Sequence, residues 1–189
     1  MKARLALVLA VCAMAAPAYA KEADLPQLGQ VPDFALTDQG GNAVTRADLD
    51  GAPWVADFIF TRCAGQCPMM SQRMGALQEA LKNADVRLVT FTVDPEHDTP
   101  NILASYAMHY GAVPGRWRFL TGSREAIWRL ARDGFRVGVE DNGTVEEPIA
   151  HSIRLILVDR RGFIRGYYDA TDDAALKRVA RDARRLASE

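Results

Sequence analysis

Two strongly apolar segments joined by a helical segment constrain the fold of this chain most. Residues 54–60 form a nearly continuous apolar run, Trp-Val-Ala-Asp-Phe-Ile-Phe, as is typical of a central strand buried on both faces. Residues 86–93 predict a second strand, and between the two strands Met70, Met74 and Leu77 recur at helical spacing. A strand, a helix and a second strand in this order form a crossover between parallel strands. The sequence therefore predicts an α/β fold.

Turn residues and helix caps divide the rest of the chain into further elements. They predict an N-terminal β-hairpin over residues 34–45, a helix from Pro100 to Gly111, a short strand at residues 118–120, a helix from Ser123 to Gly134, a second hairpin over residues 152–168 and a closing helix after Asp172. Because strands alternate with helices before the final hairpin, we expect a central mixed sheet flanked by helices.

The N-terminal residues have the three-part pattern of a secretory signal peptide. A basic start, Met-Lys-Ala-Arg, precedes an apolar run over residues 5–16 and the small-x-small cleavage site Ala-Tyr-Ala at residues 18–20. The apolar run is shorter than the roughly 20 residues that a membrane span needs. The pattern therefore predicts an exported, periplasmic protein, and a membrane anchor formed by an uncleaved N-terminus is the alternative. A lipoprotein site at Cys12 is disfavoured because the bulky Val11 precedes it.

Cleavage is predicted to leave a single domain with a loose segment in front of it. Residues 1–20 are the predicted signal peptide, residues 21–31 a flexible leader and residues 32–189 the folded domain. The formal net charge of the chain is -1 at pH 7, and its arginine-rich C-terminal segment also contains acidic residues. This charge balance lacks the basic patch that nucleic-acid binding needs, so nucleic acid is excluded as a partner.

The cysteines indicate the candidate site. The chain has three, and because Cys12 lies in the predicted signal peptide, only Cys63 and Cys67 remain. They occur in Thr-Arg-Cys-Ala-Gly-Gln-Cys-Pro, at the junction of the first buried strand and the helix that follows, which is a thioredoxin-like arrangement. Pro68 predicts that Cys67 is the N-cap of this helix, where the helix dipole and the nearby Arg62 favour the thiolate.

Two thiols at this spacing can close into a disulfide or hold one soft metal ion. A free dithiol does not persist in an oxidising compartment unless it is kept reduced or metallated. An inert structural disulfide is a further alternative, which is disfavoured because so short a loop removes little chain entropy. Cys63 and Cys67 are therefore predicted to be a redox-active pair, a metal site, or both.

His151 is the candidate third ligand. It follows a polar loop over residues 140–148 and immediately precedes a strong apolar strand, so it can project at the sheet edge and fold back onto the cysteines. Two thiolates and one imidazole form a soft donor set that suits copper, or zinc with a fourth donor. Structural zinc usually has four protein ligands, so copper is preferred. A histidine with a purely structural role at the start of a strand is the alternative.

Other side chains near the motif are weaker candidates. Asp94, at the end of the second strand, is a candidate to tune the site without binding the ion, and a turn-forming Asp-Pro pair explains it equally well. His97 and Asp98 in the same loop are interpreted as turn and capping residues. Met69 lies off the apolar stripe of its helix, so its thioether is a minor candidate for a copper ligand.

The chain resembles the SCO/SenC copper-binding proteins over residues 31–187. The motifs that carry the resemblance are Asp33-Phe-Ala-Leu36, Phe58-Ile-Phe-Thr61, Cys63-Ala-Gly-Gln-Cys67-Pro68, Val93-Asp-Pro-Glu-His-Asp-Thr-Pro100, and His151-Ser followed by the apolar strand to Asp159. The resemblance implies a thioredoxin-like fold in which Cys63, Cys67 and His151 bind copper as Cu(I) or Cu(II). One departure is Ala64, which stands where members of the family commonly have proline.

The resemblance also implies a role in building the dinuclear copper site of cytochrome c oxidase. We predict a periplasmic copper metallochaperone, not an enzyme, that delivers copper to the copper-bearing subunit of the oxidase. Another periplasmic copper carrier or a thiol reductant is a further expected partner. The alternative is a thiol–disulfide oxidoreductase that reduces the cysteines of an oxidase subunit or another client through Cys63 and Cys67. A peroxidase of the peroxiredoxin type is disfavoured, because Thr61-Arg-Cys63 does not match its proline–threonine–cysteine signature.

Overall fold

The computed structural model describes residues 24–141 and 149–189, which form a seven-stranded mixed sheet flanked by helices and a separate two-stranded hairpin. The strands are β1 (Ala35–Asp38), β2 (Ala43–Thr45), β3 (Trp54–Ile59), β4 (Arg87–Thr92), β5 (Trp117–Thr121), β6 (Val139–Asp141), β7 (Ile149–His151), β8 (Arg154–Val158) and β9 (Ile164–Asp169). The helices are α1 (Cys67–Ala80), α2 (Pro100–His109), α3 (Arg124–Arg129) and α4 (Asp173–Ser188), with a 3-10 helix at Arg46–Leu49 and a π-helical segment at Leu130–Gly134. Within the two described ranges, no helix has the length and apolar character that crossing a membrane requires.

The strand order places β3 and β4 near the centre of the large sheet. The order is β2-β1-β5-β4-β3-β8-β9; β4 is parallel to both β3 and β5, and the pairs towards the two edges are antiparallel. The predicted crossover is confirmed, because β3 leads through α1 to its parallel neighbour β4. All six residues of β3 are buried, as its apolar sequence predicts. The loops that follow β3 and β4 leave the same edge of the sheet, where functional groups collect in folds of this type.

Aromatic and sulfur-containing side chains pack against the central strands. The rings of Phe58 and Phe91 stack with their centroids 5.1 Å apart, and the ring of Phe135 meets that of Phe58 edge-on at 5.2 Å. On α1, the predicted apolar stripe that includes Met70 and Met74 is fully buried. Each such side chain stabilises the fold by roughly 1.5–3 kcal/mol when it is fully buried. This packing fixes α1, and therefore its first turn, against the sheet.

Most predicted helix starts and turns are confirmed. Thr99, Ser123 and Asp172 are the N-caps of α2, α3 and α4, and each side chain accepts a hydrogen bond from a backbone N–H in the first turn. The helix predicted to end at Gly134 does so, after α3 continues into the π-helical segment. The two predicted hairpins are present as β1–β2 and β8–β9.

The start of α1 differs from the prediction by one residue. Gln66 is the N-cap and Cys67 is the first helical residue, whereas the sequence predicted Cys67 as the N-cap. The prediction was wrong because the backbone of Gln66 already has helical angles (φ -89, ψ -21) and its carbonyl accepts a hydrogen bond from the N–H of Met70. Cys67 nevertheless stays in the first turn, where the helix dipole favours a negative charge.

The leader also differs from the prediction in its described part, residues 24–31. The N–H of Leu28 donates to the carbonyl of Ile164 at 2.8 Å, and the N–H of Val31 donates to the carbonyl of Gly162 at 2.9 Å. Val31 is buried in the core. The prediction of a flexible segment was wrong for these residues, because pairing with a distant hairpin leaves no local pattern in the sequence. The predicted signal peptide, residues 1–20, lies outside the described residues.

The histidine belongs to a short hairpin that the sequence did not predict. Strands β6 and β7 pair antiparallel, with Val139 opposite His151. His151 is therefore the last residue of β7, a separate strand that comes before β8. Most of the predicted polar loop that joins the two strands, residues 142–148, lies outside the described residues. The pairing with β6 sets the backbone of His151, and the imidazole contacts the ring of Phe60, the residue that directly follows β3.

Candidate metal centre

The two cysteines lie at the junction between β3 and α1, as predicted. Cys63 is in the connecting loop, where its N–H donates to the carbonyl of Phe60 at 3.3 Å. Cys67 is held by the first turn of α1. Both are free thiols, and Cys63 is 7% exposed whereas Cys67 is 0% exposed. Both thiols are therefore buried, but Cys63 keeps a small exposed area and lines a small cavity, whereas Cys67 does neither.

The imidazole of His151 faces these sulfurs. Its Nε2 atom lies 3.1 Å from the Sγ atom of Cys67, and its Nδ1 atom lies 3.2 Å from the carbonyl oxygen of Ser152. A carbonyl oxygen only accepts hydrogen bonds, so Nδ1 carries a proton in this contact. The Nε2 atom has a lone pair in the neutral imidazole, and in the imidazolium it has an N–H that can donate to a thiolate. The Nε2 atom can accept the S–H hydrogen bond of Cys67 or, once that proton has left, bind a metal ion.

A small cavity opens beside Cys63 and His151. It has a volume of about 130 Å³ and is lined by Phe60, Cys63, Gln66, Ile149, Ala150, His151 and Ile153. The ring of Phe60 meets the imidazole of His151 edge-on, with the centroids 5.7 Å apart. Sites for organic ligands typically exceed about 300 Å³. The cavity therefore fits a single ion and one incoming ligand group better than an organic cofactor.

The two thiols differ in acidity. Burial raises the pKa of the Cys63 thiol, but hydrogen bonds from the side chain of His151 and from the backbone and side chain of Cys67 outweigh it and lower the pKa from 9.0 to about 7. Burial raises the pKa of the Cys67 thiol well above its ordinary value, and the nearby Cys63 and Asp57 add to the increase. Near pH 7, about half of Cys63 is therefore thiolate, whereas Cys67 keeps its proton.

A buried carboxylate that the sequence analysis missed acts on the charges of this site. Asp57, in the middle of β3, is fully buried, and one of its oxygens accepts a hydrogen bond from the hydroxyl of Thr90 at 2.6 Å. The other oxygen has no hydrogen-bond partner among the described residues. Burial raises the pKa of Asp57 from 3.8 to about 7, although Thr90 and His151 act in the opposite direction. The sequence contained a signal for this buried carboxylate, because Asp57 is the only charged residue in the apolar run at residues 54–60.

The predicted tuning residue, Asp94, contacts the cysteine loop. Its carboxylate accepts a hydrogen bond from Nε of Arg62 at 2.7 Å, and Arg62 directly precedes Cys63. The side chain of Asp94 is 4% exposed and that of Arg62 is 51% exposed. Asp94 also starts a turn, since its carbonyl accepts a hydrogen bond from the N–H of Asp98 at 2.8 Å. Both sequence interpretations of Asp94 thus have a structural counterpart, and a tuning role remains a prediction.

The interpretation of Asp98 as a turn residue agrees with its backbone, whose N–H donates to the carbonyl of Asp94 at 2.8 Å, but it missed the role of the side chain. Its fully buried carboxylate accepts hydrogen bonds from the N–H of Thr61 at 3.0 Å and from the hydroxyl of Thr92. The N-cap of α2 is Thr99. His97 is exposed in the turn, in agreement with its interpretation as a turn residue.

The ligand candidates converge without forming a complete shell. Within residues 24–141 and 149–189, no three His, Cys, Asp or Glu side chains are already arranged as a metal-binding group. Metal binding at Cys63, Cys67 and His151 therefore requires these side chains to draw together around the ion. Met69, the minor candidate, is partly buried and packs against the hydrophobic core.

In this sheet the first crossover helix begins at a cysteine pair, and one histidine faces that pair. These features define a thioredoxin-like domain for thiol chemistry or soft-metal binding. The SCO1/SenC family model matches residues 23–188. The chain therefore belongs to the SCO1/SenC family, and the resemblance seen in the sequence is confirmed.

Individual relatives agree with this assignment. The SCO1 protein homolog of Bacillus subtilis (strain 168) is 34% identical over 158 residues, which cover 82% of this chain and 81% of that protein. The solved structure of BsSco, described as a member of the Sco family of cytochrome c oxidase assembly proteins with a disulfide switch, is 32% identical. It has a TM-score of 0.78 and covers 88% of this chain and 99% of BsSco. These similarities confirm the predicted thioredoxin-like fold.

One solved relative holds the predicted metal. The structure of Bradyrhizobium japonicum ScoI with copper bound is 25% identical to this chain, has a TM-score of 0.71 and covers 84% of this chain and 99% of ScoI. Copper binding is thus a property of a protein with the same fold.

Proposed function

We propose that this protein is an exported copper metallochaperone, which binds one copper ion through Cys63, Cys67 and His151 and passes it to the copper-bearing subunit of cytochrome c oxidase. The observation that supports this most is the distance of 3.1 Å between Nε2 of His151 and the sulfur of Cys67. Two sulfurs and one imidazole are soft donors that suit copper, whereas structural zinc usually takes four protein ligands. The copper-bound ScoI structure agrees with this choice of metal.

Loading of the site requires both thiols to lose their protons. Cys63 supplies the first thiolate near neutral pH, because its pKa is lowered to about 7. Cys67 gives up its proton only when the ion replaces it, since burial raises the pKa of that thiol. Copper therefore binds first at Cys63, and Cys67 and His151 complete the site. Delivery by ligand exchange begins at Cys63, because this sulfur is the one that a ligand of the client subunit can reach.

Export is part of the same proposal. Residues 1–20 direct the chain to the periplasm and are then removed. The periplasm is an oxidising compartment in which a metallated or regularly reduced cysteine pair is preserved. Mass spectrometry of the protein isolated from the periplasm should give a chain that begins at Lys21. A chain that retains its first residues and sediments with membranes would instead support the uncleaved anchor.

The ligand role of His151 is tested by copper titration of the reduced protein. One equivalent of Cu(II) should bind, with a thiolate-to-copper charge-transfer absorption, and His151→Ala should weaken binding by at least about 10-fold, since even residues that only support metal ligands contribute this much. His109→Ala is the matched control, because His109 lies exposed in the last turn of α2. Wild-type affinity in His151→Ala would remove this residue from the site.

The difference in acidity between the thiols supports a second candidate function, thiol–disulfide exchange with a client. The Cys63 thiolate would attack a client disulfide and form a mixed disulfide, with one client sulfur leaving as a thiolate. The Cys67 sulfur, after losing its proton, would then attack Cys63 and release the second client sulfur. Two electrons pass to the client, and the Cys63–Cys67 pair becomes a disulfide. The disulfide switch described for BsSco is a related property of a relative.

Trapping experiments test this second function. Cys67→Ser should accumulate a mixed disulfide between Cys63 and a client protein, because the resolving sulfur is missing. Cys63→Ser is the matched control and should trap nothing. Equal trapping by the two variants, or none by either, would contradict the assigned order of attack.

A further inference from the structure

A buried carboxylate ties the loop that carries Cys63 to the neighbouring strand. Asp98 accepts hydrogen bonds from the backbone N–H of Thr61 at 3.0 Å, from the hydroxyl of Thr61 at 2.5 Å and from the hydroxyl of Thr92. Thr61 lies two residues before Cys63, and Thr92 is the last residue of β4. A buried donor that loses its acceptor costs more free energy than a hydrogen bond contributes on average, because water cannot replace the acceptor. Asp98 is therefore a strong buried anchor between the two loops that border the site.

The two cysteines depend on this anchor to different degrees. Cys67 is fixed by α1, whose apolar face is buried against the sheet. Cys63 lies in an irregular loop and has no helix or strand to hold it. A second contact between its loop and the loop after β4 is the ion pair of Arg62 with Asp94, in which the arginine side chain is half exposed. Exposed ion pairs contribute little to stability, so Asp98 is the stronger of the two contacts.

We propose that Asp98 is a positioning residue of the copper site, which acts through Thr61 to hold Cys63 within reach of Cys67 and His151. The expected effect on copper affinity rests on the proposed copper function. The expected effect on closure of the Cys63–Cys67 disulfide does not. The role of Asp98 is to accept hydrogen bonds from Thr61 and Thr92. Neither contact with the ion nor the negative charge itself is needed for this role.

The geometry makes asparagine a suitable conservative replacement. One oxygen of Asp98 accepts from both the Thr61 N–H and the Thr92 hydroxyl, and the other accepts from the Thr61 hydroxyl. In Asp98→Asn, the amide oxygen can take over the first pair of bonds. The amide NH₂ can donate to the Thr61 hydroxyl, which rotates to accept. Asp98→Ala removes all three bonds.

The experiment compares copper affinity in Asp98→Ala, Asp98→Asn and a control. Asp182→Ala is the control, because Asp182 is also buried and accepts a hydroxyl hydrogen bond, from Tyr168 at 2.8 Å, but lies on α4. By competition with a copper chelator, Asp98→Ala should bind copper on the order of 10- to 100-fold more weakly than wild type. Asp98→Asn should restore most of this loss, and Asp182→Ala should bind as wild type does.

A second measurement does not need copper. The equilibrium constant for closing the Cys63–Cys67 disulfide in a glutathione buffer reports how well Cys63 is held opposite Cys67. We expect this equilibrium constant to fall by roughly 10-fold in Asp98→Ala and to change little in Asp98→Asn or Asp182→Ala. If the wild type binds no copper, the proposed function fails and this constant alone decides the role of Asp98.

Three results would overturn the proposal. The first is a folded Asp98→Ala with wild-type copper affinity and disulfide constant. The second is an equal loss in Asp98→Ala and Asp182→Ala at matched free energies of unfolding, and the third is a failure of asparagine to restore the site. If Asp98→Ala does not fold, Thr61→Val replaces it, because valine removes the hydroxyl and keeps the backbone N–H. Its copper affinity and disulfide constant should change in the same direction by a smaller factor, and unchanged values would contradict the assignment.

Discussion

Cys63 and Cys67 carry the same side chain four residues apart, yet they lie in opposite environments. Cys63 lies in a loop, lines the small cavity and is 7% exposed, and hydrogen bonds from His151 and Cys67 overcome its burial and lower its pKa to about 7. Cys67 is sealed in the first turn of α1, where burial raises its pKa and Asp57 adds to the increase. The surroundings of each thiol, and not the spacing in the sequence, therefore determine its role. Cys63 encounters a partner, and Cys67 closes the site.

The largest expected effect is a difference in alkylation rate between the two thiols. At pH 7, iodoacetamide should modify Cys63 faster than Cys67 by more than about 1,000-fold, because only the thiolate reacts and Cys67 is both protonated and buried. The rate at Cys63 should rise with pH to a half-maximum near its pKa of about 7. Mass spectrometry of peptides from timed samples measures both rates. Comparable alkylation rates at the two cysteines would contradict the assigned difference in their acidity and burial.

The next largest effect concerns Asp57 and the stability of the fold. Its folded pKa of about 7 lies above the ordinary value of 3.8, so the neutral carboxyl stabilises the folded state at low pH. This contribution is lost as the pH rises from about 4 to about 7, since the folded state then holds a buried charge. Asp57→Asn should therefore raise the free energy of unfolding at pH 8 by up to about 4 kcal/mol.

Urea unfolding at two pH values measures the effect of Asp57→Asn. The gain at pH 8 should disappear near pH 4, where the carboxyl of the wild type is neutral in both states. A variant that is less stable than wild type at pH 8 would show that the fold stabilises Asp57 as an anion. A difference that does not change with pH would show that folding leaves the pKa of Asp57 unshifted.

A smaller effect should follow from loss of the imidazole. His151→Gln removes a group that hydrogen-bonds the thiolate of Cys63, so the pKa of this thiol should rise. Once the pKa lies above 7, each further unit lowers the thiolate fraction at pH 7 by close to tenfold, and we expect the alkylation rate of Cys63 at pH 7 to fall by roughly that factor. The pH dependence of alkylation in His151→Gln and His109→Gln gives the comparison. Superimposable curves would separate His151 from Cys63.

The smallest effect is expected at Met69, next to the cysteine loop. Its side chain is partly buried and packs against the core, so Met69→Leu should keep the copper affinity within about twofold and leave the charge-transfer spectrum unchanged. Copper titration of Met69→Leu beside the wild type checks this. A shifted spectrum would add a thioether to the ligands and sharpen the description of the site.

The sequence predicted the elements whose causes are local. The apolar run of β3, the caps Thr99, Ser123 and Asp172, and the cysteine pair at the start of α1 are all found as expected. Each depends on residues within one or two turns of chain, which a pattern can represent. The start of α1 was missed by one residue because the backbone of Gln66, which no side chain marks, was already helical.

The polar contacts around the site could not be predicted because they join distant residues. His151 reaches Cys67 across 84 residues, and its selection among three histidines came from the family resemblance. Asp98 reaches Thr61 across 37 residues, and in the sequence it resembles an ordinary turn residue. Asp57 gave a local signal, but which buried groups it would meet depends on the folded sheet.

X-ray absorption at the copper edge tests the central claim most directly, because it counts the donor atoms around the ion. With one equivalent of copper on the reduced wild-type protein, we predict that the ion has two sulfur neighbours and one imidazole nitrogen. The imidazole signal should be lost in His151→Ala. A spectrum with a single sulfur, or with an imidazole signal that persists in His151→Ala, would contradict the assignment of Cys63, Cys67 and His151 as one copper site.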